Sequence, residues 1–246
     1  MTTSITEFKA PPMIRLNATN PLRFIVLKTI AACLMTMLLY KPSQAASVAQ
    51  IQGWNKQAFS AYEANRVRQA ARFYFKASLA GDASARYNLA SMKVRQETTL
   101  ISQSKANLWL KQTAQSGLSP AQFSYGLLLE LGEHLPRDIA QANAWFEKAA
   151  KQGHAEASLS LATAYFLGRG IEQDDAKAAY WYEKAAEGGE VAAQYSLATM
   201  YLQGHGVAKN LDQALNWFTQ AARQGDLAAK EMARVLTQTL TRERSN

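Results

Sequence analysis

HAEASLSLATAYFLGRGIEQDDAKAAYWYEKAAEGG, residues 154–189, is followed without a break by EVAAQYSLATMYLQGHGVAKNLDQALNWFTQAARQG, residues 190–225. The two stretches have equal length and align without a gap. Working outward, Trp109, Trp145, Trp181 and Trp217 stand 36 residues apart, and the same step back reaches Phe73. Gly81, Gly117, Gly153, Gly189 and Gly225 keep that interval. So do Ala70, Ala106, Ala142, Ala178 and Ala214, and again Ala85, Ala121, Ala157, Ala193 and Ala229. Four registers in step make the chain a tandem array, and its function is to be read as a property of an array.

Each unit carries two helical patterns. Ala193, Leu197 and Tyr201 recur every fourth residue on one face, while Ala178, Trp181 and Ala185 form a second stripe. Alanine on both stripes lets helices approach closely, and the tryptophan fills the space that remains. Gly168 and Gly170, like Gly204 and Gly206, separate the two helices where the chain needs positive φ. Asn210 followed by Gln213, and Asp138 followed by Gln141, fit N-caps with capping-box partners. Gly153, Gly189 and Gly225 fall where helices end. No hairpin-like alternation occurs, so the fold class is all-α, a solenoid of antiparallel helix pairs with about five 36-residue units.

The unit resembles the Sel-one-like repeat (SLR) family, kin of the tetratricopeptide repeat. Leu161, Ala162, Tyr165, Gly168, Gly170, Ala178, Trp181, Tyr182, Lys184, Ala185, Ala186 and Gly189 carry the resemblance. It is strongest from Pro120 to Gly225, over units 118–153, 154–189 and 190–225. Earlier copies depart from it: RQETTLISQS occupies the place of the G-x-G loop, and His134 stands where one unit would have its second glycine. The resemblance implies a right-handed superhelix used as a protein–protein adaptor. Some cysteine-rich relatives are associated with β-lactam binding or hydrolysis, but this chain lacks their cysteines, so that activity is not carried over.

The N-terminus has the layout of a secretory signal over residues 1–45. Lys9, Arg15, Arg23 and Lys28 precede an apolar run from Thr29 to Tyr40, and Ser43 and Ala45 suit a cleavage site that leaves Ala46 first. Met13 is an alternative start. An uncleaved anchor is the competing reading, although the 17 residues from Phe24 to Tyr40 include Lys28 and fall short of a comfortable span. Ile30-Ala31-Ala32-Cys33 also resembles a lipoprotein box, but a lipidated cysteine would be followed by polar linker rather than by LMTMLLY. Either main reading places residues 46–246 outside the cytoplasm, most simply in a bacterial periplasm. Cys33 is the only cysteine, so that segment can form no disulfide and no thiolate site.

The net charge of +8 is uneven. Residues 46–111 hold ten basic and three acidic groups, while residues 112–246 hold twelve and fifteen. Arg66, Arg68, Arg72, Lys76, Arg86, Lys93 and Arg95 form a candidate basic docking patch for an acidic partner, anionic lipid or acidic polysaccharide, the alternative being a solvated surface. Nucleic acid is not an expected ligand of an exported protein, and membrane association is expected only through an uncleaved or lipidated N-terminus.

Little in the chain points to chemistry. His134, His154 and His205 lie in different units at loop or helix-start positions, so no metal site is expected. No HExxH, phosphate-cradling loop or G-x-S-x-G elbow is present. Asp174 and Asp175 open a helix, where its dipole accounts for them. Trp145, Phe146, Trp181, Tyr182, Trp217 and Phe218 read as core. No catalytic residue and no cofactor is assigned. The first helices instead present Asn88, Ser124, Ser160 and Ser196, with Ser91, Thr163 and Thr199 one turn on and Leu127 breaking the second row. At 100° per residue these lie opposite the Ala193 stripe, as a ladder able to hydrogen-bond an extended peptide or a partner helix. The expected function is a non-enzymatic adaptor of the bacterial envelope. A module binding cell-wall glycan or peptide fragments is second, and a cell-wall hydrolase third. At the ends, a helix over Val48 to Ala64 with Trp54, Phe59 and Tyr62 should precede the Phe73 helix. A capping helix over residues 226–240 should close the array, with Arg242 to Asn246 as a frayed tail.

Overall fold

The computed structural model describes residues 46–245, so the expected signal and Cys33 lie outside the described residues. Eleven helices follow one another, and no strand forms among these residues. α1 (Val48–Glu63) and α2 (Val67–Leu79) lead into α3 (Ala83–Val94) and α4 (Gln103–Gln115). The pairs α5 (Ser119–Leu131) with α6 (Ile139–Ala150), α7 (Ala155–Leu167) with α8 (Asp175–Glu187), and α9 (Val191–Gln203) with α10 (Leu211–Arg223) follow. α11 closes the array over Leu227–Ser245, running past the expected end at 240 through the region read as a frayed tail. Each helix packs on the one before it and the one after it, the connectivity of a solenoid. Among the described residues, no helix is long and apolar enough to cross a membrane.

Local chemistry sets the helix ends. The side chains of Asp82, Ser102, Asp138, Asp174 and Asn210 each accept the backbone N–H three residues on, at 2.7–3.2 Å. The reciprocal half of the expected capping box does not form at Asp138 or Asn210, and at Asp138 the Gln141 amide turns to the carboxylate instead. The full box forms at Ser47 and Gln50, at the start of α1. Gly168, Gly170, Gly204 and Gly206 take φ between 65° and 78°, and the chain reverses there at no Cβ cost.

The ten periodic alanines, from Ala70 to Ala214 and from Ala85 to Ala229, are all 0% exposed. With no free space around them, a larger side chain there would force the helices apart. Of the four periodic tryptophans, Trp109 and Trp181 are buried at 8% and 9% exposed, and the other two are less deep. Trp145 and Trp217 are half-buried. The residues after them, Phe146 and Phe218, are 1% and 0% exposed and fill the innermost position. Phe59 of α1 is 60% exposed, and Ala58 and Ala61 are the buried residues of that helix.

Candidate functional site

The residues expected to form a polar ladder lie on the first helices but are half-buried rather than open, and three of their six hydroxyls are turned back. Ser196 donates to the Ala192 carbonyl at 2.8 Å, Thr199 to Tyr195 at 3.0 Å and Thr163 to Leu159 at 2.9 Å. Such bonds to the preceding turn spend the hydroxyl proton locally and leave only acceptor capacity. Thr163 also lies 3.3 Å from the Tyr182 hydroxyl, and Ser124 lies 3.5 Å from that of Tyr87. Ser91 Oγ is buried without a hydrogen-bond partner. Asn88 and Ser160 complete the row.

Two cavities of about 160 Å³ open on this face. One lies between α3 and α5, lined by Ser91, Val94, Leu110, Ser124, Leu127 and Leu131, with Arg95 and Tyr87 at its edge. The other lies between α7 and α9, lined by Phe166, Tyr182, Ser196, Thr199 and Gln203, with His205 beside it. They are the same site two units apart. Val94, Leu110, Ser124, Leu127 and Leu131 map by a shift of 72 onto Phe166, Tyr182, Ser196, Thr199 and Gln203. The first is aliphatic with a cation at its rim, and the second offers hydroxyls and an amide. A hydrophobic anchor suits one and a mixed anchor the other.

The same 72-residue period appears in the packing. Gln122 Nε2 donates to the Ala114 carbonyl at 3.2 Å, and Gln152 Nε2 to Gln122 Oε1 at 2.7 Å. Gln194, Ala186 and Gln224 repeat this arrangement at 3.2 and 3.0 Å. The Phe123–Phe146 rings, 5.7 Å apart, are matched by Tyr195–Phe218 at 5.3 Å. A signal for this was present in AQFS at 121–124 against AQYS at 193–196, but the stronger 36-residue period masked it.

The seven basic residues do not line one cleft. Arg66 stands with Lys56 beside Phe73. Arg68 and Arg72 enter a different cleft, of about 360 Å³. The Lys76 ammonium lies 5.7 Å from the Phe73 ring, and the Arg86 guanidinium lies 5.9 Å from Trp109 while reaching the Ser78 carbonyl at 3.4 Å. Lys93 is half-buried. Arg95 is bound to Glu97 at 2.8 Å and to the Tyr62 hydroxyl at 3.3 Å, and its pKa is raised chiefly by the Glu97 bond.

His154 and His134 have structural tasks. His154 caps α7 by accepting from Ala157 N–H at 3.4 Å and lies 4.8 Å from the Phe123 ring. Burial pushes its pKa down, with Glu156 and Glu190 opposing. The His134 carbonyl accepts from Asn107 at 3.0 Å. Asp174 is held below the usual carboxylate range, first by the Lys177 backbone N–H, as an N-cap should be. Among the described residues, no group of three or more His, Cys, Asp or Glu could hold a metal ion.

Comparison with known proteins agrees with this architecture. The Sel1 repeat model matches residues 83–118, 119–154, 155–190 and 191–226, and so includes the first unit despite its missing glycine loop. A Sel1 repeat protein from Oxalobacter formigenes superposes with a TM-score of 0.66 at 27% identity, over 72% of this chain and 73% of that one. A protective antigen of uropathogenic Escherichia coli strains displaying an SLR fold gives a TM-score of 0.65 at 34% identity over 70% of this chain. The match spans 37% of that antigen's length. No curated protein matches the chain by sequence.

Proposed function

We propose that this chain, which belongs to the Sel1 repeat family, is a non-enzymatic scaffold of the bacterial cell envelope that holds a protein partner along the face of its first helices. Sel1 repeats generally act as protein–protein interaction modules. The observation that carries the reading is the pair of cavities on α3–α5 and α7–α9, built from equivalent positions two units apart. Sites repeated along one face suit an extended segment or a helix that sets down an anchor at each. The envelope assignment draws support from the basic, apolar and small-residue order of residues 1–45, and from the absence of cysteine after Cys33.

The test is crosslinking of the tagged chain in cells, followed by capture from the envelope fraction and mass spectrometry. One dominant protein partner, lost on Ser124→Arg with Ser196→Arg while the helical circular dichroism is unchanged, is the expected result. Capture unaffected by both substitutions removes the two cavities from the reading. Retention on cell-wall material without a protein partner replaces the scaffold with a glycan- or peptide-fragment-binding module.

A further inference from the structure

Later units seal each loop onto the second helix of the preceding unit. A Cβ on Gly170 would lie 2.7 Å from Ile139 Cγ2, and one on Gly206 would strike the backbone of Asp175. Ile139 and Asp175 are the first residues of α6 and α8, so only glycine lets the loop seat there. A second device is an amide tie. Asn107 Nδ2 donates to the His134 carbonyl at 3.0 Å, and Asn143 Nδ2 to the Arg169 carbonyl at 2.7 Å.

The loop between α3 and α4 has neither. Thr98 stands at the register of Gly170 and Gly206, and Ala71 at that of Asn107 and Asn143. What remains is the 360 Å³ cleft, with Arg68, Ala71 and Arg72 of α2 on one side and Glu97, Thr98 and Thr99 on the other.

The charge within it is uncompensated. α2 carries Arg68, Arg72 and Lys76 and no acidic residue. Among the described residues, no carboxylate lies within ion-pair distance of Arg68 or Arg72. Glu97, the acid at the lip, is already engaged by Arg95 at 2.8 Å and by the Tyr62 hydroxyl at 3.1 Å. Arg68 and Arg72 are one turn apart, so their charges repel unless an anion lies between them. Guanidinium groups pair with carboxylates in a two-pronged geometry that lysine cannot reproduce.

Resting on the scaffold reading above, we propose that this cleft receives an acidic peptide segment of the partner, with one carboxylate set between Arg68 and Arg72. The cleft admits one or two side chains of a passing chain rather than a globular surface, and its open mouth lets the chain continue.

The experiment is isothermal titration of the full chain with a tetraglutamate peptide, at low and high salt. Salt-sensitive binding is expected, weakened at least about tenfold by Arg68→Gln with Arg72→Gln. Ala71→Asn with Thr98→Gly supplies both sealing devices without touching either charge, and should weaken binding to a similar degree. Binding unaltered by the sealing pair overturns the cleft in favour of diffuse surface charge. Unaltered binding in the arginine pair, or none in the unmodified chain, overturns it outright. Inorganic phosphate that displaces the peptide at equal concentration overturns the choice of a peptide ligand. The scaffold reading fails separately, when no protein is captured in cells.

Discussion

A methyl group placed on Gly206 would strike the carbonyl of Asp175, the residue that opens the helix of the preceding unit. Gly189 makes no such approach, since a Cβ there meets nothing within 4 Å, although its φ of 93° is equally left-handed. The two glycines therefore separate backbone strain from steric exclusion. Gly189→Ala should cost about 1 kcal/mol and Gly206→Ala about 3 kcal/mol or more, read as midpoint shifts in urea denaturation. Equal costs would show that the loop does not seat on α8.

The second prediction concerns a neighbouring pair. Phe218 is 0% exposed, and Trp217 beside it is half-buried. Phe218→Ala should cost about 3–5 kcal/mol, and Trp217→Ala clearly less, despite the larger side chain removed. Denaturant titration of both variants gives the order directly, and the reverse order would return the tryptophan to the centre of the core.

Gln194 is 3% exposed and joins α8 to α10 by donating to the Ala186 carbonyl and accepting from Gln224. Gln194→Ala removes both bonds, while Gln224 keeps the Gly189 carbonyl and the Ala186 carbonyl keeps the Gly189 N–H, so the cost should be about 1 kcal/mol. Gln122→Ala should behave alike, and an effect at one site only would break the equivalence of the two units.

The pH dependence follows from His154. Burial lowers its folded pKa below the ordinary 6.5, so at mildly acidic pH the unfolded chain binds more protons than the folded one. Its contribution to stability is complete above the unfolded value and is lost as pH falls toward the folded value. Thermal melts between about pH 7.5 and 5.5 should show a falling midpoint. His154→Asn keeps a capping acceptor and should flatten that slope, whereas an unchanged slope would assign it to other groups.

The array was legible from the sequence because a helix–helix contact repeated at fixed spacing forces the same small residue at each crossing. Ala70 through Ala229 stand where that logic put them. The depth order of Trp217 and Phe218 was not legible, since adjacent aromatics on one helix differ by 100° in direction, and only the neighbouring helices decide which points inward. The ladder of Ser196, Thr163 and Thr199 falls on the first helices, as its register requires. Its hydroxyls, however, find the nearest carbonyl of their own helix, a local bond that a face diagram does not contain. The basic residues were grouped by proximity in sequence, yet helix pairing sent Arg66 to one cleft and Arg68 with Arg72 to another. Thr98 and Ala71, which line that cleft, stand out only once the loops are compared in register.

The alternation of units gives the molecule a scale as well as a surface. Two equivalent cavities stand 72 residues apart, with one 36-residue unit between them. A partner engaging both cavities would have to present its two anchors at that one separation. A chain with identical anchors set closer together or farther apart would be refused with no clash and no opposing charge. Discrimination of this kind lies in distance, and inserting or excising one 36-residue unit between the cavities would recalibrate it without altering a single residue that touches the partner.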